Sequence, residues 1–292
     1  RARPRGPPAV TSGGQAGMTG PATADEGVSP LVFITGASSG IGQALAARYA
    51  ALGWRLALVA RRESAIDDWA RAKGLGPERC RAYGADVADT ASLLAAAERC
   101  LADQGVPDVV VANAGISVGM DTAEREDLEV MRETLALNVQ GVTVTFHPFL
   151  ARMRARGSGA LVGIASMAAL RGLPGHGAYC ASKAAVVAYC ESLRVECRGT
   201  GVRVVTVLPG YVATPLTARN PYAMPFLISA EVFAERAERA IAAGVSRRVI
   251  PWQMALVAPI LRGLPNWLYD RLLAGRGRKP RRPKAGTESP PS

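Results

Sequence analysis

From Leu31 onward the chain alternates between two hydrophobic periods. Short apolar runs recur as LVFIT (31–35), WRLALVA (54–60), DVVVA (108–112), ALVGIAS (160–166) and VRVVTVL (202–208), and segments with helical spacing separate them. The runs are nearly continuous in apolar residues, so the strands they form are buried on both faces. Such a sheet needs helices on each side. Strands alternating with helices therefore predict an α/β fold, a Rossmann-like doubly wound parallel sheet in a single domain. Helices are expected at GIGQALAARYAALG (40–53), near 63–73, after Asp89 as N-cap, over roughly 127–156 and over 178–198. A short strand is expected near 80–83, and RRVIPW (247–252) reads as a last edge strand.

In a sheet of this kind ligands bind beyond the carboxyl ends of the strands, and the unusual residues fall there. TGASSGIG follows the first strand, with Gly36, Gly40 and Gly42 between strand and helix. Glycines at that point permit a tight turn and let a phosphate approach backbone N–H groups at the positive end of a helix. The spacing differs from G-x-G-x-x-G, and the alternative is a glycine-rich turn without a ligand. The second strand ends at Arg61 and Arg62. An acid there would hold the adenosine ribose, whereas arginine suits a 2′-phosphate, so NADP (NADPH) is favoured over NAD. The alternative is two solvated arginines opening a helix. Asp86 and Val87 end the third strand, Asn113, Ala114 and Gly115 the fourth, and Ser166 the fifth. Pro209 and Gly210 end the sixth, with Thr214 shortly after. Tyr179 and Lys183 are four apart, so on a helix phenol and ammonium emerge side by side.

Charge and cysteine usage narrow the function classes. The formal charge is +11, but residues 271–292 carry +6 of it and 1–30 carry +1, which leaves the body mildly basic. No basic stripe interleaved with aromatics is visible, so no nucleic acid is expected. The five cysteines, Cys80, Cys100, Cys180, Cys190 and Cys197, match no metal spacing. No metal is expected, and free thiols fit a cytoplasmic protein. The N-terminal arginines precede no apolar run of the kind a secretory signal needs. Residues 1–30, rich in Pro, Gly, Ala and Thr, are expected to be disordered.

Taken in order, T-G-x-x-x-G-I-G, N-A-G, the asparagine of LNVQG, Ser166, Y-x-x-x-K and P-G resemble the short-chain dehydrogenase/reductase family over about residues 31–250. The resemblance implies that Tyr179 is the general acid in carbonyl reduction and the base in the reverse direction. Lys183 would hold the nicotinamide ribose and favour the phenolate. Ser166 would hydrogen-bond the carbonyl oxygen, and Asn138 would hold a water of a proton relay. It also extends the cofactor contacts to Ser38, Ser39, Ile41 and Val212, and implies a homodimer or homotetramer. Two readings from other classes are a non-catalytic NADP(H) sensor and a membrane-associated scaffold. His147 and Cys180 read as structural, and His176 as a neighbour of the substrate cleft.

The C-terminal end departs from the family pattern. Residues 211–235 suggest an apolar cover for a small-molecule, lipophilic substrate. Residues 251–275 read as a helical extension broken near Pro259 and Pro265, and 276–292 as a basic disordered tail. The extension is too short to span a bilayer. It packs on the body or on a partner, or it lies at a membrane surface with Trp252, Trp267 and Tyr269 near the headgroups and the tail on anionic lipid.

Overall fold

The computed structural model describes residues 28–282, apart from Arg219 and Arg276. The expected disorder of 1–30 falls largely outside the described residues, as does the end of the tail. The chain begins β1 (Leu31–Thr35), α1 (Gly40–Ala51), β2 (Arg55–Ala60), α2 (Glu63–Ala72), β3 (Cys80–Gly84), α3 (Thr90–Gln104) and β4 (Val109–Ala112). It continues with α4 (Asp127–Leu135), a π turn (Ala136–Gln140), α5 (Gly141–Arg156), β5 (Gly159–Ile164), α6 (Gly177–Glu196) and β6 (Val202–Pro209). Two-residue strands β7 (Val212–Ala213) and β8 (Ile228–Ser229) pair with each other before α7 (Ala230–Ala242), β9 (Arg247–Ile250), α8 (Trp252–Gly263) and α9 (Asn266–Leu273).

The main sheet has the order β3-β2-β1-β4-β5-β6-β9, and every neighbouring pair is parallel. The chain winds outward from β1 in one direction, then from β4 in the other, so a crevice opens at their carboxyl ends. Alternate residues of β1 feed different cores. Leu31 and Phe33 pack with α3, α5 and α6, while Val32 and Ile34 pack with α1, α2 and α7. Phe33 lies against Phe149 with ring centroids 4.8 Å apart. Full burial of side chains of this size stabilises by roughly 1.5–3 kcal/mol each, and the central strands β4 and β5 carry no polar residue.

Two local features differ from the sequence reading. The expected single helix over 127–156 contains the π turn, where one extra residue rotates Asn138 to zero exposure. Pro259 lies inside α8, and Leu264 and Pro265 separate α8 from α9. Arg171 docks this pair to the body. It donates to the carbonyls of Leu261 and Leu264 at 2.6 Å each and to Asn266 Oδ1 at 2.9 Å, and its guanidinium lies 3.9 Å from the Tyr269 ring centroid. The segment from 276 that composition assigns to a tail lies, over 277–282, against the body through hydrogen bonds and ion pairs.

Candidate active site

The β1–α1 turn is shaped by its glycines. Gly36 sits at φ +68, and a Cβ there would come within 2.8 Å of Ala114 Cα. A Cβ at Gly42 would come within 2.3 Å of the Gly36 carbonyl oxygen. Asn113 fastens the facing loop, its Nδ2 donating to the Thr35 and Gly36 carbonyls at 2.9 and 3.2 Å. No side chain caps the N-terminus of α1, whereas Asp89 caps α3 and Ser229 caps α7. The leading N–H groups of α1 thus face a cavity of about 440 Å³ with donors unspent. An uncapped helix start over a crowded glycine turn fits the diphosphate of a dinucleotide.

Most of the residues read from the sequence meet on this cavity. Gly36, Ser38, Ser39, Gly40 and Ile41 form one wall, and Arg61, Asp86 and Val87 another. Asn113, Ala114 and Gly115 continue from β4, and Pro209, Gly210, Val212 and Thr214 close it from β6. Ser166, Tyr179 and Lys183 lie at its reactive end. Three expected residues do not line it. Gly42 serves the turn itself, Arg62 is an exposed N-cap residue of α2, and Asn138 is buried behind the loop. The sequence reading omitted Ala60, Ala85, Ile116, Leu137, Ile164, Ala165 and Pro215 to Thr217. The signal for Ala60, Ala85 and Ala165 was their place at strand ends, where a small side chain leaves room for a ligand.

Lys183 is 4% exposed and donates to the Ile164 carbonyl at 2.9 Å. Burial lowers its pKa to about 8. Burial raises the Tyr179 phenol, and a hydrogen bond with Ser166 pulls it back in part. Lys183 Nζ is 5.9 Å from the Tyr179 ring centroid. In this structure desolvation outweighs any help the ammonium gives the phenolate, and Tyr179 is held protonated, as a donor. Ser166 Oγ accepts from the Ala168 N–H at 3.1 Å, and its hydroxyl lies within hydrogen-bond reach of the Tyr179 phenol.

Asn138 acts through protein partners. Its Oδ1 accepts from the Ile116 N–H at 2.8 Å, and its Nδ2 donates to the Ile116 carbonyl at 2.9 Å and to Ser182 Oγ at 3.0 Å. Ser182 in turn donates to the Tyr179 carbonyl at 2.8 Å. The asparagine clamps the loop after β4 to the first turns of α6, the helix that carries Tyr179 and Lys183.

A second cavity, of about 300 Å³, shares Ser166, Tyr179, Pro209 and Gly210 with the first. Its walls include Met167, Leu173, Tyr211 and Phe226, together with Met254, Val257 and Leu261 of α8 and Tyr269 of α9. His176 also borders it, bonded to the Pro174 carbonyl and the Tyr222 hydroxyl. The two cavities meet at one phenol and one serine, with a dinucleotide cradle on one side and an apolar cleft on the other.

That arrangement fits a nicotinamide-dependent oxidoreductase. A sequence model described as short chain dehydrogenase matches residues 30–223. An uncharacterized oxidoreductase of Myxococcus xanthus is 40% identical over 241 residues, 82% of this chain and 94% of that protein. Among solved structures, a 3-ketoacyl-(acyl-carrier-protein) reductase from Brucella melitensis, complexed with NADH, is 28% identical with a TM-score of 0.68, covering 76% of this chain and 97% of that one. A short-chain dehydrogenase from Sphingobium yanoikuyae, in complex with NADPH, is 26% identical with a TM-score of 0.69, covering 84% and 96%. The chain belongs to the short-chain dehydrogenase/reductase family. It is an NAD(P)-dependent oxidoreductase acting on alcohol and carbonyl groups.

Proposed function

We propose that this enzyme interconverts a carbonyl and a secondary alcohol on a lipophilic substrate and prefers NADP(H). The carrying observation is the second cavity, which is lined largely by apolar side chains and whose charged residues are already engaged. Arg171 is spent on α8, α9 and the Tyr269 ring, and Lys279 Nζ donates to Asn220 Oδ1 at 2.7 Å and to the Leu216 carbonyl at 3.3 Å. Ser166 and Tyr179, where the two cavities meet, are placed to receive a substrate oxygen.

A dinucleotide held in the first cavity would supply the hydride chemistry of its nicotinamide, with Gly36, Ser39, Asn113 and Lys183 among the residues that would hold it. Tyr179 gives its proton to the carbonyl oxygen in reduction and takes it back in oxidation. Ser166 donates a hydrogen bond to the oxygen as charge develops on it. Lys183 and the α1 N-terminus bind the ribose and diphosphate. Arg61 supports the NADP(H) preference because it lines the cradle at the end of β2. The first acid after β2, Glu63, does not line the cradle and is engaged by the Gly84 N–H and by Arg99 at 3.2 Å. The test is parallel titration of NADPH and NADH, followed by a panel of lipophilic ketones with the reduced cofactor in excess. Equal affinities remove the NADP(H) preference, and turnover confined to small polar ketones removes the lipophilic substrate.

One observation supports a peripheral membrane contact as well. Trp252, Leu256 and Ile260 lie at helical spacing on α8 and are exposed, as are Trp267, at 70%, and Leu272 on α9. No helix among the described residues is long and apolar enough to cross a membrane. The ion-paired arginines of 278–282 contribute less to lipid binding than free ones, so contact rests on the apolar row. Trp252→Ser with Trp267→Ser abolishes co-sedimentation with anionic vesicles on this reading. Unchanged co-sedimentation, or none by the native chain, removes it.

A further inference from the structure

Residues 277–282 run across the rim of the apolar cleft and touch the loop after β4, α4 and the segment after β7. On the loop after β4, the Gly119 N–H donates to the Pro280 carbonyl at 3.0 Å, and Arg278 pairs with Asp121 at 2.8 Å. At α4, Arg281 bonds Asp127 at 2.6 Å and reaches Glu124 at 3.4 Å, while Arg282 bonds Glu133 at 3.1 Å. On the segment after β7, Lys279 holds Leu216 and Asn220. Three arginines thus meet four carboxylates, so sequence and surface are complementary in charge. The contact is also close. A Cβ at Gly119 would fall 2.1 Å from the Lys279 carbonyl oxygen, and one at Gly175 would fall 3.1 Å from Arg278 Cβ. Lys279 is 7% exposed and lines the apolar cleft, but not the cofactor cavity.

We propose that 277–282 is a strap that completes the substrate cleft and sets the upper size of the substrate, with Lys279 the specificity-determining residue it brings to the wall. This rests on the apolar cavity being the substrate site. Of the strap, Lys279 lines the substrate cleft and no residue lines the cofactor cradle, while Leu216, whose carbonyl Lys279 holds, borders both. Its basic composition is the counterpart of Asp121, Glu124, Asp127 and Glu133.

The experiment compares the full chain, a chain ending at Gly275, Gly119→Ala in the full chain, and Gly119→Ala in the shortened chain. Two ketones are assayed, a compact one that fits about 300 Å³ and a bulky homologue that exceeds it. Truncation and Gly119→Ala each raise the bulky-to-compact ratio of kcat/KM by roughly tenfold or more, with NADPH affinity unchanged. Gly119→Ala adds nothing in the shortened chain, because the strap it displaces is absent. A ratio unchanged within about twofold, or an equal effect of Gly119→Ala in both backgrounds, overturns the proposal. If the shortened chain fails to fold, Gly119→Ala in the full chain decides by the same ratio. Hydrogen exchange at the Gly119 amide gives a readout without turnover: exchange quickens when the strap is removed or displaced, and an unchanged rate overturns the docking. Absence of turnover of any ketone by the full chain contradicts the proposed function, and the exchange measurement still judges the strap.

Discussion

Replacing Lys183 by methionine removes a buried charge and a hydrogen-bond donor at once, and the two effects oppose each other. Burial moves the ammonium from 10.5 to about 8, a penalty on the charged form of about 3 kcal/mol. Methionine fills similar space without that penalty. Against this, the Ile164 carbonyl loses the donor now 2.9 Å away, which costs roughly 1–3 kcal/mol. Near pH 7 the variant is therefore between equal in stability to the native enzyme and about 2 kcal/mol more stable. For a domain of this size that is a rise in Tm of up to roughly 4–8 °C. The sign depends on pH. Above 10.5 the lysine is neutral in both folded and unfolded chains, so the charge penalty is absent and the variant shows only its lost hydrogen bond. As pH falls from 10.5 to about 8 the unfolded chain takes up a proton the folded one refuses, and the native enzyme loses stability relative to the variant. The difference between the two proteins thus changes sign across that window. Taking the difference cancels the buried thiols Cys80 and Cys100, each of which burial raises to about 12. Urea unfolding of both proteins near pH 7 and at the alkaline end measures it, with turnover lost in the variant throughout. A variant less stable than the native enzyme by the same amount at both pH values refutes the reasoning.

Arg61→Ala weakens NADPH binding by roughly 1.5–3 kcal/mol and leaves NADH nearly unchanged, whereas Arg62→Ala changes neither, as titration of both cofactors reports. Asn138→Ala strands both backbone groups of Ile116 and costs roughly 2–4 kcal/mol in urea unfolding. It also lowers kcat, because Tyr179 and Lys183 lose their clamp, and a stability loss under about 1 kcal/mol contradicts the clamp.

The β1–α1 turn was legible because its chemistry is local: the glycines are required by contacts between neighbouring backbone atoms. The strand-end rule likewise brought Asn113, Ser166, Tyr179 and Lys183 to one crevice before any coordinates. Asn138 was legible as a residue but not as a contact, since a π turn leaves no mark in a helical hydrophobic period. Arg62 looked equivalent to Arg61 in sequence, yet one step along the chain carries it out of the cavity to the exposed start of α2. The strap was hidden by composition. A run of arginine and lysine after the last helix reads as a solvated tail, and its partners Asp121, Asp127 and Glu133 lie some 150 residues earlier.

The central claim is that the Tyr179 hydroxyl carries the proton that accompanies hydride transfer. It is tested most directly by following oxidation of NADPH with a ketone the native enzyme reduces, using native protein and Tyr179→Phe side by side, with cofactor affinity measured on both. The account predicts that the phenylalanine variant binds NADPH as the native enzyme does and turns over at most about a thousandth as fast. A variant that keeps most of its turnover contradicts it.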